Sequence, residues 1–296
     1  MAAKVELTTR ELKPGFGAEI LGVDLAQADA ETLKAVTEVF QNSGAILLRG
    51  QKMGPGDLMA FINQFGEPEG HTLGEYTLPG YPKIYVLSNR IVDGRPIGAH
   101  NDGVVWHTDY SYRQEPVMCT MLYAVEVPPV GSDTLLADIV AAYNALPEAR
   151  REALDDLVVH HSFQYFMESR VYGKAETSPE LFAQNPDVFH PLIRRHPQDG
   201  RKALWVSTGT VKGIVGMPEP EGAQLVDELV AFATQDEFVF RHRWEVGDVL
   251  MWDNRCTLHT GTLFDDTKYI RQMHRLWVKG DRPLAANGQP VFAPAA

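Results

Sequence analysis

Two stretches near the amino terminus carry apolar residues at helical spacing. Between residues 29 and 44, Leu33, Val36, Val39 and Phe40 fall on one side of a helix, and Gly44 stands where that helix should stop. A second amphipathic helix is predicted over 57–65, with Leu58, Phe61, Ile62 and Phe65 together and Gly66 at its end. The run 45–49 between them is short and continuously apolar, the pattern of a buried strand.

Beyond residue 69 the pattern breaks up. The stretch 69–105 is rich in Gly, Pro, Asn and Asp and is interrupted only by a strand-like 83–87, so a lid or binding loop is expected there. Further strands are predicted over 119–127, 133–137, 204–207, 237–243, 248–253 and 270–278, with helical inserts at 139–157 and 223–234. Many strands with connections of mixed length, and helices gathered in a few places, describe a mainly β fold: a double-sheet β-roll with helices packed outside it. The whole chain, 1–296, is expected to form a single domain, with a loosely packed tail after about residue 281 that holds Pro283, Pro290 and Pro294.

Composition adds exclusions. The apolar fraction of 44% and charged fraction of 22% are those of a globular chain rather than a disordered or fibrous one. A net charge of −12 without a long Lys/Arg block speaks against nucleic-acid and anionic-membrane partners. A few converging arginines can still reverse the potential inside one pocket, so a small anionic substrate remains open. Cys119 and Cys256 have strand-like or apolar surroundings, which makes a disulfide framework unlikely to be the design and fits a reducing compartment. The amino terminus lacks an apolar signal core, and no segment approaches the roughly 18 apolar residues of a membrane span, so a cytoplasmic location is expected.

The candidate chemistry lies in Trp106-His107-Thr108-Asp109 and, far downstream, in Trp252-Asp253-Asn254-Arg255-Cys256-Thr257-Leu258-His259. On extended backbone, positions i and i+2 project to the same side, so His107 and Asp109 can bind one ion, and His259 can complete the set from a neighbouring strand. Two imidazoles and one carboxylate on one face of an octahedral ion leave the other face open, the arrangement associated with oxygen activation at iron(II). A closed structural zinc site would call for four ligands, usually with thiolates, and no CxxC pair is present. A His-x-Asp tripeptide is common by itself; what gives it weight is its company. Arg271 offers a planar, permanently charged fork suited to a carboxylate, and Thr134 a hydroxyl that can share it. No GxGxxG or Walker loop is present, which disfavours nucleotide-dependent activity.

The segments WHTDYSY, VPPVGSDTLLADIVAAYNALP, ATQDEFVFRHRWEVGDVLMWDNRCTLH and RQMHR occur in the order found in the taurine dioxygenase and dichlorophenoxyacetate dioxygenase family of iron(II)/2-oxoglutarate enzymes, which the chain resembles over nearly its whole length. The resemblance implies a double-stranded β-helix, or jelly roll, with iron(II) held by His107, Asp109 and His259, and 2-oxoglutarate held by Thr134 and Arg271. It further implies use of O2, release of succinate and carbon dioxide, and hydroxylation of a small anionic organic substrate. Arg275 matches an arginine that faces the substrate's anionic end in related enzymes. His71, in FGEPEGHTL, matches a substrate-contacting position, and Phe163 resembles a hydrophobic pocket residue. His160, His161, His190, His196, His242 and His274 match no metal role and are read as structural or exposed. The stretch 90–105 follows neither the sulfonate nor the herbicide enzyme closely, so the substrate stays open between a sulfonate such as taurine and an aryloxyalkanoate or other carboxylate. Family members are often dimers or larger, and a homo-oligomer is expected. The competing reading from another class is a catalytically inactive, metal-binding β-roll that binds a small molecule.

Overall fold

A computed structural model of the chain describes residues 5–169 and 176–293. Both early helices form. Helix Ala30–Ser43 opens at Asp29, whose carboxylate accepts the Thr32 N–H at 2.8 Å. It ends at Gly44, whose left-handed φ of 73° suits glycine and where an added β-carbon would stand 3.2 Å from the Cys256 sulfur, a tight contact. Helix Pro55–Ile62 starts two residues before the predicted point because proline suits the first helical turn, and it closes before Phe65. Phe65 nonetheless packs edge-on against Phe40 and Phe61, at 5.3 and 5.2 Å between ring centres.

The main sheet has nine strands. Its order is Thr8–Lys13, Phe16–Leu21, Ala45–Leu48, Val249–Asp253, Cys119–Glu126, Gln272–Val278, Tyr81–Ser88 and Thr77–Leu78, with Pro68–Glu69 also paired to Gln272–Val278. Its central strands are buried on both faces. One face sets Ile46, Met121, Met251 and Leu276 against Val36, Phe40, Leu58 and Phe61 of the two helices. The other sets Leu122, Leu250, Trp252, Met273 and Trp277 in one cluster with Leu136. Leu136 belongs to a second sheet of three strands, Val239–His242, Thr134–Asp138 and Thr257–Gly261, so two sheets enclose a common interior. Each large side chain buried there contributes roughly 1.5–3 kcal/mol relative to exposure. The architecture is the expected jelly roll with helices on the outside.

Several predicted boundaries need correction. The insert 139–157 is two helices, Ile139–Ala145 and Glu148–Leu154, because Pro147 forces Leu146 out of helical backbone, with ψ of 143°. The strand predicted over 204–207 is Lys202–Leu204, and the last long helix begins at Glu219 rather than 223. Sequence reading missed the hairpin Thr8–Lys13 with Phe16–Leu21; its outer strand is largely exposed and charged, as suits a sheet edge, and shows no alternation. After residue 281, Leu284–Ala285 pairs with Ile193–Arg195 and Ala286 is buried. Cys119 and Cys256 are both buried and free.

Gly280 packs against backbone: a β-carbon there would stand 2.1 Å from the Pro116 carbonyl oxygen and 2.6 Å from the Met118 nitrogen. Gly280→Ala should lower the unfolding free energy by about 1–3 kcal/mol in urea titrations. Gly213→Ala, where an added methyl meets no atom within 4 Å, should change it by less than about 0.5 kcal/mol. Equal losses for the two would contradict this packing.

Candidate metal centre

His107 lies outside the regular strands, yet it pairs with His259 of strand Thr257–Gly261 as an isolated antiparallel bridge. The His107 N–H donates to the His259 carbonyl at 2.9 Å, and the His259 N–H returns the bond at 2.8 Å. Residues directly opposite in such a pair project to one side, and the two imidazole centres are 4.1 Å apart. Asp109 reaches the same side. Its Oδ1 lies 3.5 Å from His107 Nε2 and its Oδ2 3.7 Å from His259 Nε2. One donor atom from each of the three residues falls within 4.8 Å of the others, and no other such trio occurs among the described residues. Donors on adjacent corners of an octahedral ion, each about 2.1 Å from it, stand about 3 Å apart, so the trio needs only slight contraction to hold one.

The protonation states fit a metal. His107 Nδ1 lies 2.7 Å from the Val105 carbonyl oxygen, which can only accept, so the ring proton sits there and Nε2 presents a lone pair. Burial, then the neighbouring His107, holds the His259 imidazole well below its ordinary pKa and keeps it neutral. Burial alone would raise the Asp109 carboxyl, but the surrounding positive charge, that of Arg275 included, holds it well below the usual carboxylate range. A neutral His259 imidazole beside an ionised Asp109 carboxylate gives these two groups in the forms that ligate. Tyr110, immediately after Asp109, takes a left-handed φ of 58°, turning the chain sharply away behind the carboxylate.

Two hydrogen-bond donors that the sequence did not reveal converge on Asp109. Thr120 Oγ1 and Trp277 Nε1 both donate to its Oδ2, at 2.6 and 2.8 Å. Thr120 and Trp277 stand opposite each other on neighbouring strands, a register that spacing within either strand could not disclose.

The remaining predicted residues surround this trio unevenly. Arg271 precedes strand Gln272–Val278; its N–H donates to Asn89 Oδ1 at 2.9 Å, and its buried Nε has no partner. Burial and then the like charge of Arg275 push its pKa down to about 10. Arg271 lines a small cavity of about 30 Å³ with Asn89, His100, Asp102, Gly261 and Thr262. Gly261 is the cross-strand partner of Thr134, and Leu136 that of His259, so Thr134 and His259 share a sheet face. Thr134 is buried, and its Oγ1 accepts the Trp244 indole N–H at 3.0 Å.

Arg275 is buried over the rings of Tyr85 and Trp277, and its Nη1 lies 3.4 Å from Asp102 Oδ2. Next to Asp102, Gly103 approaches the trio so closely that a β-carbon would sit 3.6 Å from His107 Nε2. His71 stacks on Tyr85 at 4.2 Å and on Trp277 at 5.9 Å, one ring removed from Asp109. Phe163 opens helix Phe163–Ser169 and is buried against Tyr112, Phe166 and Phe182; the trio is not among its ring contacts. Of the other histidines, His160 pairs with Asp187, His161 with Thr210 and His196 with Asp253, and none joins the trio.

Beneath His259, the turn between strands Val249–Asp253 and Thr257–Gly261 is held by a buried ion pair. Arg255 Nε and Nη2 grip Asp253 Oδ1 and Oδ2 at 2.8 and 2.6 Å, and His196 Nε2 adds a contact at 3.2 Å. Burial alone would raise the Asp253 carboxyl, but Arg255 and His196 hold it far below its usual range.

A β-roll that gathers two imidazoles and a carboxylate at one interior point has the architecture of a mononuclear metal-dependent oxygenase. The chain belongs to the taurine catabolism dioxygenase TauD, TfdA family, whose sequence profile matches residues 8–277. It is 34% identical over 273 residues to the alpha-ketoglutarate-dependent 2,4-dichlorophenoxyacetate dioxygenase of Cupriavidus pinatubonensis, covering 88% of this chain and 94% of that one. Among solved structures it is similar to a taurine dioxygenase from Burkholderia xenovorans, with a TM-score of 0.80, 30% identity and coverage of 98% and 97%. It is also similar to AAD-2 in complex with Mn(II) and N-oxalylglycine, with a TM-score of 0.79, 30% identity and coverage of 94% and 99%.

Removing one member of a buried ion pair strands the other charge. Arg255→Met should therefore destabilise the protein by about 3–5 kcal/mol, read as a lowered denaturant midpoint. A midpoint equal to wild type would show that the pair does not support the turn.

Proposed function

We propose that this chain is an iron(II)- and 2-oxoglutarate-dependent dioxygenase that hydroxylates a small anionic organic substrate, with His107, Asp109 and His259 as the iron ligands. The observation that carries this reading is a three-donor set whose ligand atoms fall within 4.8 Å of one another, flanked by the Arg271 guanidinium, whose Nε is buried without a partner and within 4.0 Å of which no carboxylate of the described residues lies. Bound iron(II) supplies the oxidising chemistry, using O2 and 2-oxoglutarate to place a hydroxyl on a substrate C–H carbon, with succinate and carbon dioxide as co-products.

The protein's own residues position the reactants. Arg271 and Thr134 hold the distal carboxylate of 2-oxoglutarate. The Thr134 hydroxyl already accepts from Trp244, so its proton is left to donate to that carboxylate. N-Oxalylglycine, bound by AAD-2, carries the same two carboxylates with an N–H in place of one methylene. Arg275 receives the anionic end of the substrate in exchange for Asp102. The stacked rings of His71, Tyr85 and Trp277 form a flat wall for the organic part, and Phe163 backs the pocket from the core. The segment 69–105 serves as the lid: Asp102 meets Arg275, and Gly103 lies against His107. Shielding the centre from water strengthens each of these charge contacts.

The substrate classes this reading supports are a sulfonate such as taurine and an aryloxyalkanoate or other carboxylate; the Cupriavidus and Burkholderia proteins are named for one of each. Hydroxylation beside an ether oxygen releases a phenol, and beside a sulfonate it releases sulfite. Parallel phenol and sulfite assays, with succinate formation as the common readout, distinguish them. A cytoplasmic setting agrees with the net charge of −12 and the two free buried cysteines; no helix of the described residues is long and apolar enough to cross a membrane.

His259→Ala should lose substrate-stimulated succinate formation and bind Mn(II) at least about tenfold more weakly. Near wild-type turnover would reject the ligand assignment. Arg271→Gln removes a charge-assisted contact and should raise the KM for 2-oxoglutarate by about tenfold or more, with kcat changed less. An unchanged KM would remove Arg271 from that role.

A further inference from the structure

We propose that Thr120 and Trp277 are positioning residues that confine Asp109 to one-point coordination of the iron, and that Asn254 aims the Thr120 hydroxyl for that purpose. The inference rests on the assignment of Asp109 as an iron ligand.

An octahedral ion has six positions, of which two imidazoles and one carboxylate oxygen use three. The three that remain accommodate a keto acid chelating at two points and one molecule of O2. A carboxylate free to swing onto the ion with both oxygens would remove one of these, and chelate and O2 could no longer be held together. The enzyme therefore needs Asp109 restricted to one oxygen.

The structure supplies the restriction from one row of the main sheet. Thr120 stands in register with Trp252 on one side and Trp277 on the other. Thr120 Oγ1 and the Trp277 indole N–H both donate to Asp109 Oδ2, at 2.6 and 2.8 Å, two bonds to an oxygen that has two lone pairs. Oδ1, the oxygen nearer His107 Nε2, is left to ligate.

A threonine hydroxyl can rotate, so its proton needs a reason to point at Asp109. Asn254 Nδ2 donates to Thr120 Oγ1 at 2.8 Å, which makes the hydroxyl an acceptor on that side and turns its proton toward Asp109. Asn254 is itself fixed on every polar atom. Its Oδ1 accepts the Trp252 indole N–H at 3.2 Å, which sets the orientation of the amide. Its carbonyl accepts from Trp205 Nε1 at 2.9 Å and Thr108 Oγ1 at 3.0 Å, and its N–H donates to the Met118 carbonyl at 2.8 Å. The chain of donors runs Trp252 to Asn254 to Thr120 to Asp109, with Trp277 closing from the opposite side.

The test is an anaerobic titration of purified wild type, Thr120→Val, Thr120→Ser and Trp277→Phe, first with iron(II) and then with 2-oxoglutarate. The visible charge-transfer band of the chelate is the readout. Thr120→Val and Trp277→Phe should retain iron(II) to within a few-fold of wild type but bind 2-oxoglutarate about tenfold to a hundredfold more weakly. Thr120→Ser, which keeps the hydroxyl, should restore the wild-type value. Unaltered 2-oxoglutarate binding in both donor-less variants overturns the inference, as does equal loss of iron and keto acid, which would mark a merely structural role. Should Thr120→Val fail to fold, Trp277→Phe decides by the same readout. A wild-type protein that retains no iron and gives no band would instead sink the ligand assignment, so the two failures are distinguishable.

Discussion

The whole site depends on a pair of backbone hydrogen bonds between His107 and His259. They fasten an irregular segment to the end of the smaller sheet and force two imidazoles, distant in sequence, onto one side of the roll. Asp109 follows by the two-residue period of extended backbone. Convergence of three polar side chains in the interior is costly unless their polar atoms are satisfied. Asp109 Oδ2 is satisfied from the larger sheet, through Thr120 and Trp277. Each sheet thus contributes a different part of one centre: the smaller orients His259 and Thr134, and the larger orients the carboxylate and presents Arg275.

What could be read from sequence divides along the same line. The trio was legible because His107 and Asp109 are two residues apart and because the motif around His259 is long. Helix Ala30–Ser43 was legible because its cap, stripe and stop are all local. Thr120 and Trp277 were invisible in their site role: each sits in an apolar strand and reads as core, and only the register between strands makes them neighbours. The same limit hid Asp102 as the partner of Arg275, since one lies in an irregular loop and the other in a strand. The double helix read as one over 139–157 was a different failure. Apolar spacing continues across Pro147, but the backbone cannot, because proline excludes helical geometry at Leu146. Arg271 and Arg275 both fall within the strand predicted over 270–278; Arg271 in fact lies just before the strand, beside Asn89.

In their proposed roles the two arginines also differ in what they give up on binding. Arg275 already has a counter-charge in Asp102, so an incoming substrate anion gains only the difference between its own contact and the one it displaces. Arg271 has a buried Nε without a hydrogen bond, and burial, then the like charge of Arg275, holds its pKa down to about 10. It remains protonated at neutral pH, and a desolvated cation in that position destabilises the site until an anion reaches it. In the role proposed for Arg271, the distal carboxylate of 2-oxoglutarate would meet that need without displacing a carboxylate of the described residues. A chain of net charge −12 thus carries two cations near one interior centre, of which, among the described residues, only Arg275 has a carboxylate within 4.0 Å.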